Sequence, residues 1–216
     1  MNIHSFTEPP MVSRADKPPR SSREGPHGAD KRESILAAAV ELFADKGFHG
    51  TAVPEIAVRA GVGAGTIYRY FESKEAIVNA LFQRHKSALL ASVVDDFPYD
   101  APTRAQLHHF VSRVISFARK HPVAFKFLEA HHHAPYLDDK SRAMEANVLA
   151  LANGFFEQHE RARVVKRAPG GVLAWLLWGA VVGLLRASWE GRTELTPKSE
   201  AAFEEALWDA IRRHPE

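Results

Sequence analysis

The chain has 216 residues, 45% of them hydrophobic, and a formal net charge of +2. That is apolar material for one small unit plus a larger one, and too little charge for a field that would hold nucleic acid unaided. The absence of cysteine excludes disulfides, a thiol nucleophile and Cys-ligated zinc, and fits a reducing cytoplasm, where the protein is expected.

Residues 1–29 are rich in Pro, Ser, Gly and charge, with no apolar period, and read as a disordered, solvated tail. They carry no apolar h-region, so no signal peptide is expected. Asp30 is the expected N-cap of the first helix, with Glu33 at the third helical position. Ile35, Ala39, Leu42 and Phe43 then form a helical stripe up to Gly47. Thr51 stands where a side-chain oxygen would cap the next helix. There Val53, Ile56, Ala57 and Ala60 fall at i, i+3, i+4 and i+7. Pro54 is tolerated in the first turn, whose N–H groups have no helical partner. Gly61 follows where a left-handed C-cap is needed.

A second short helix, Ala64 to Tyr70, needs only Ile67 inside, with Val62 and Phe71 at its ends. Its outer side carries Thr66, Tyr68, Arg69 and Tyr70. The small start, Gly63, Ala64 and Gly65, permits close approach of another surface. Two helices joined by a short Gly-containing turn describe a helix-turn-helix, about residues 52–71, whose second helix enters the DNA major groove. Hydroxyls and a guanidinium there can bond phosphates and base edges, and Arg69 can reach a guanine edge or a phosphate.

Gly61 to Glu75 reads Gly-Val-Gly-Ala-Gly-Thr-Ile-Tyr-Arg-Tyr-Phe-Glu-Ser-Lys-Glu. This stretch resembles the signature of the TetR/AcrR family of transcriptional regulators. The likeness extends upstream through the Ile35–Phe43 helix, Gly47-Phe48, Thr51 and Ile56-Ala57, covering about Lys31 to Leu81. Gly63 departs from it, because the family more often has a polar N-cap there. The resemblance implies a DNA-binding domain over 30–76 and an effector-binding, dimerising domain over 77–216. On matching positions, Thr66, Tyr68 and Lys74 would contact phosphates and Tyr70 a base or phosphate. Ala64, Gly65 and Arg69 would face the groove with them, and Thr51 would cap the second helix and touch the DNA backbone. The implied partners are a palindromic double-stranded operator, a second copy of the chain and a small hydrophobic or aromatic effector, with no cofactor.

Downstream, Ser73 is the expected cap of a helix carrying Ile77, Ala80, Leu81, Leu89 and Leu90 to about Val94. After a loop, Thr103-x-x-Gln106 reads as a capping box. Leu107, Phe110, Val111, Val114, Phe117 and Ala118 follow at helical spacing. Pro122 restarts a helix with Phe125, Phe127 and Leu128, which breaks at His131 to Tyr136. Met144, Val148, Leu151 and Phe155 mark the next helix. Gly171 to Leu185 is apolar throughout. Thr196 and Pro197 form an N-cap and first-position proline, and Phe203, Ala206, Leu207, Ala210 and Ile211 give the last helix one apolar face. No alternating pattern occurs, so the fold class is all-α, with about nine helices.

The Gly171–Leu185 run, about 15 residues, is short of the roughly 20 that a bilayer requires, so no membrane partner is expected. It reads as an interface helix, where Gly179 and Gly183 allow close approach. With Phe203 and Leu207 it would build, by the resemblance, a four-helix bundle with a second subunit. By the same resemblance the effector lies among the middle helices, against Phe110, Phe117, Phe125, Phe127, Phe155, Trp175 and Trp178, with His131 and Tyr136. The triplet His131-His132-His133 suggests a helical enzyme or metal-binding protein as the alternative. Helical neighbours diverge by about 100°, however, so three in a row cannot converge on one metal. Glu129 and His132 lack the second such pair that di-iron bundles use. With neither G-x-S-x-G nor H-E-x-x-H in the chain, no enzymatic activity and no metal are assigned.

Overall fold

The structure is a computed structural model and describes residues 26–130 and 134–214. The histidine triplet, His131 as a pocket residue and most of the tail expectation lie outside the described residues. Among those described, nine helices run in order: α1 (Pro26–Lys46), α2 (Val53–Arg59), α3 (Ala64–Tyr70), α4 (Lys74–Val94), α5 (Thr103–Lys120), α6 (Pro122–Ala130), α7 (Asp139–Arg161), α8 (Val172–Trp189) and α9 (Pro197–Ile211). A 3-10 turn, Ala134–Tyr136, precedes α7. The all-α expectation holds; the extended pairing is one antiparallel bridge between Val165 and Arg212.

Caps show where local rules won. Ser73 Oγ accepts from the Ala76 N–H at 3.1 Å, and Thr196 Oγ1 from the Ser199 N–H at 3.2 Å, both as expected. Two expected caps are corrected. The first helix begins at Pro26, so Asp30 lies inside it, and its carbonyl accepts from Ser34 Oγ at 2.9 Å. At α5 the N-cap is Pro102. Thr103 is therefore helical and buried, and the Gln106 amide turns back to donate to the Tyr99 and Ala101 carbonyls at 3.0 and 2.8 Å.

Helices α1 to α3 close over Ile35, Ala39, Leu42, Phe43, Ile56, Ala57 and Ile67, all buried. Each large apolar side chain removed from water contributes about 1.5–3 kcal/mol. Helix α4 carries this unit through buried Ile77, Val78 and Leu81 and continues into the second domain. There α5 is the central helix, burying Leu107, Val111, Val114, Ile115 and Phe117. Helix α8 buries Leu173, Ala174, Leu177, Val181 and Leu185 and leaves Trp175, Leu176, Gly179 and Gly183 exposed. The apolar residues of α9 are split rather than on one face. Leu207 and Ile211 are buried in the chain's own core, Phe203 is half-buried, and Ala206 and Ala210 are exposed. Leu207 is thus core, not interface. On α7 the inward stripe is rotated by about one residue: Leu151 is exposed and Phe156 is buried.

Glu33 on α1 and Arg84 on α4 make a bidentate pair, 2.7 Å on each arm. The Arg84 hydrogen bonds hold the Glu33 carboxyl below its usual range. The Ser141 N–H does the same for Asp138, the N-cap of α7. A carboxyl depressed in the folded state stabilises above its unfolded pKa of roughly 4, and that contribution fades as pH falls through the folded value. Glu33→Gln should therefore flatten the loss of stability below about pH 4.5 and leave the slope between pH 6 and 8 unchanged. Urea midpoints at stepped pH would check this; an unchanged acid slope would dissolve the pair in solution.

Candidate nucleic-acid interface

The site is built on one turn. Gly61 has φ +66°, the left-handed region that glycine enters without a side-chain clash, and the Val62 N–H closes α2 on the Ala57 carbonyl at 3.0 Å. Gly63 is extended and starts α3 with no side-chain cap, so the first N–H groups of that helix stay open. Ile67 is the one α3 side chain that is buried. Ala64, Gly65, Tyr68 and Arg69 are exposed, and Thr66 and Tyr70 are half-buried. Tyr68 is a large aromatic at 59% exposure. The Arg69 guanidinium lies 5.7 Å from the Tyr70 ring centroid and forms no ion pair among the described residues. The neighbouring basic groups are neutralised internally: Arg59 donates to Glu41 at 2.8 Å and Lys46 pairs with Glu55. No atom lies within 4 Å of a Cβ built on Gly65, so packing does not demand glycine there.

Two expected contacts are turned inward. The N-cap of α2 is Ala52, without a side-chain bond, and Thr51 is buried, its Oγ1 donating to the Gly47 carbonyl at 2.8 Å. Thr51 ties down the turn after α1 instead of capping α2. Lys74 Nζ donates to the Phe48 and Thr51 carbonyls at 2.7 and 2.9 Å and lies 4.0 Å from the Phe48 ring centroid. Two of its three donors are spent on backbone that no helix satisfies.

The expected pocket residues separate into groups. Phe117, Phe125, Trp178 and Phe110 form one aromatic chain across α5, α6 and α8, with successive centroids 6.5, 6.1 and 6.4 Å apart. Phe155 stands apart on α7, against Phe156 and His159. Phe127 points the other way, toward Phe43 of α1. Trp175 is 60% exposed on the outer face of α8, and Tyr136 stacks on Phe48 at the junction of the domains. Neither lines the interior of the second domain.

Sequence reasoning missed the polar members of this region. Trp178 Nε1 donates to the Glu129 carboxylate at 3.1 Å. Burial pushes that carboxyl up, against the pull of Lys86. Lys86 Nζ lies 5.6 Å from the Trp178 ring and 5.7 Å from Phe82. Burial lowers His85 to about 4, which leaves it neutral at pH 7, and its Nε2 has no hydrogen-bond partner. A lone acid in the apolar α6 was a usable signal for Glu129; nothing in the pattern marks Lys86 or His85. No group of three His, Asp or Glu side chains suited to a metal occurs among the described residues.

A glycine-punctuated pair of short helices, the second nearly unburied and faced with hydroxyls and a guanidinium, defines a helix-turn-helix DNA-binding regulator. The family model described as bacterial regulatory proteins, tetR family, matches residues 35–81, and the tetracyclin repressor-like C-terminal domain matches 82–213. The chain belongs to the TetR family. It is 36% identical over 86 residues to the fatty acid metabolism regulator protein of Bacillus subtilis, covering 40% of this chain and 44% of that one. It is 34% identical over 88 residues to the transcriptional activator FasR of Mycolicibacterium smegmatis, covering 41% and 40%. The chain thus spans less than half the length of these curated relatives. A TetR family protein from Vibrio parahaemolyticus, of known structure, is 30% identical and superposes with a TM-score of 0.67 over 85% of this chain and all of that one.

Gly65→Ala should raise stability by up to about 1 kcal/mol, because alanine is the better helix former, yet weaken specific DNA binding by setting a methyl on the outward side. Calorimetry and gel shift on one preparation would check both signs; undiminished affinity would move the groove contact off this face. Tyr68→Ala should abolish specific binding with the melting temperature intact, and unchanged affinity would remove Tyr68 from the interface.

Proposed function

We propose that the protein is a cytoplasmic, homodimeric repressor that binds a palindromic operator and is released by a small hydrophobic or aromatic effector. The observation that carries the DNA reading is the economy of α3, which buries one side chain, half-buries Thr66 and Tyr70 and exposes Ala64, Gly65, Tyr68 and Arg69. Ala64, Gly65, Thr66, Tyr68, Arg69 and Tyr70 face the major groove in this reading. Arg69 contributes about 1–3 kcal/mol of discrimination if it takes a guanine edge.

Dimerisation is supported by an exposed stripe on α8, Val172, Trp175, Leu176, Gly179 and Gly183, beside exposed Ala202, Ala206 and Ala210 on α9. An apolar face of this kind suits a second copy, and a two-fold dimer calls for a two-fold operator. By length and composition α8 is also a candidate membrane span. Its buried face, Leu173 to Leu185, packs on the chain's own helices, which suits a core-and-interface helix better. The effector occupies the region of Phe110, Phe117, Phe125 and Trp178 in this reading, with Glu129 and Lys86 as its polar contacts. It must prefer the DNA-incompetent state. Near-complete release requires a preference of about 10⁴-fold, roughly 5.5 kcal/mol. Because FasR bears the name of an activator, the sign of regulation is part of the proposal.

Gel shift and footprinting on DNA from just upstream of the protein's own coding region, at two salt concentrations, test the reading. A protected palindrome that survives moderate salt is the expected result, since non-specific binding collapses with salt. Salt-sensitive smearing alone, there and with fragments selected from a random pool, would overturn it. Gly183→Leu should fit the protomer, where nothing lies within 4 Å of the added Cβ, and weaken the dimer. An unchanged dimer by sedimentation would place the interface elsewhere.

A further inference from the structure

We propose that Tyr136, a residue of the second domain, is a positioning residue for DNA recognition: it clamps the turn between α1 and α2 and fixes the angle at which α3 is presented. The inference rests on the reading of α3 as the recognition helix. Helix α4 joins the two domains covalently, and a unit hung on one helix can rock about it. A second attachment, off the α4 axis, removes that freedom.

The second attachment is present. Tyr136 stacks on Phe48, with centroids 3.8 Å apart and planes 20° apart. Lys74 Nζ lies 4.0 Å from the Phe48 centroid. Two groups that near cannot share one face of a ring, so Phe48 is held between them. The Tyr136 hydroxyl and His49 Nε2 are 2.6 Å apart. On the α4 side the segment is bolted by Asn79, a buried amide. Its Nδ2 donates to the Tyr136 carbonyl at 2.8 Å and to the Glu75 carbonyl at 2.9 Å, and its Oδ1 accepts from the Asp138 N–H at 2.9 Å. A residue wanted only for packing at that position would be apolar; this amide has three partners, two of them, Tyr136 and Asp138, in the strap of residues 134–138.

The clamp reaches the start of α2. Lys74 bonds the Phe48 and Thr51 carbonyls, and Thr51 Oγ1 bonds the Gly47 carbonyl. Residues 47–51 are thereby one hydrogen-bonded piece, and Ala52, the N-cap of α2, follows directly. Moving Tyr136 moves that piece, and α3 turns with α2. Neighbouring Phe43 meets both Phe48, at 6.2 Å, and Phe127 of α6, at 6.3 Å, so α6 and the strap bear on the same end of α1.

Full-length Tyr136→Ala, Tyr136→Phe and His49→Ala are compared by hydrogen exchange and by binding to the footprinted fragment and to random-sequence DNA. Tyr136→Ala should speed exchange across residues 47–53 while α5 stays protected, and weaken specific binding about five- to tenfold, the scale of a lost aromatic pair. Binding to random DNA should hardly change. Tyr136→Phe keeps the stack and loses one hydrogen bond, and His49→Ala keeps the stack but loses that bond and two edge-on ring contacts, so both should show smaller effects of the same sign, and they decide the matter if Tyr136→Ala fails to fold. Faster exchange confined to residues 134–138, with residues 47–53 unaffected, would overturn the clamp. If the wild type selects no specific DNA, the recognition reading fails, and the exchange data still decide whether the clamp exists.

Discussion

The Phe43 ring is where the two halves of the chain meet. It is fully buried and touches Phe48 on its own unit and Phe127 on α6. A close-packed contact of this kind does not deform smoothly, because interiors at crystal density have few voids to absorb a shift. The DNA-binding unit is therefore seated on α6 as well as strung from α4, with the Glu33–Arg84 pair as a polar stay outside the core. The position of α3 depends on this seat together with α4 and the Tyr136–Phe48 contact.

Much of the interface was legible because glycine and caps act locally. Gly61 had to be left-handed once α2 ended there, and Ile67 had to point inward on a helix with so few apolar residues. Ser73 and Thr196 capped because nothing nearby competed. Several failures share one cause, a turn or loop carbonyl that outbid the expected partner. Thr51 found the Gly47 carbonyl and Lys74 the Phe48 and Thr51 carbonyls, groups exposed by a turn whose path periodicity does not reveal. Thr103 lost its cap position to Pro102, and the Gln106 amide followed the loop carbonyls. In α9 the pattern showed one apolar face, but the chain's own core takes Leu207 and Ile211, and the small alanines are left outside. Size, more than hydrophobicity, sorted that helix.

The weak net charge acquires a physical meaning from the ion pairs. Arg59, Lys46 and Arg84 are each matched by a glutamate of the first unit, which reduces its unpaired basic charge. In the proposed reading, fewer unpaired basic groups leave less of the affinity to phosphate neutralisation and to the salt dependence that accompanies it. Discrimination then falls, in that reading, on close-range contacts by Tyr68, Arg69 and the open start of α3. Close-range contacts are steep in angle and distance, which makes the orientation of the unit the controlling variable.

Helix α6 is suited to set that orientation. Phe127 and Glu129 are two residues apart, about 200° around a helix, and so lie on nearly opposite sides. Glu129 and Phe125, one turn apart, both reach Trp178 of α8 in the interior of the second domain. Phe127 presses on Phe43 of the DNA-binding unit. One short helix therefore has one side in the region read as the effector's and the other on the seat of α1. In the proposed reading, a molecule bound between Glu129 and Trp178 acts on one side of α6, while Phe127 on the other side carries the displacement to Phe43. Burial holds the carboxyl up although Trp178 donates to it, so a ligand that brings a positive charge or a further hydrogen bond would favour its charged form. In that reading the effector's polar contact, Glu129, and the contact with the DNA-binding unit, Phe127, stand on the same nine-residue helix.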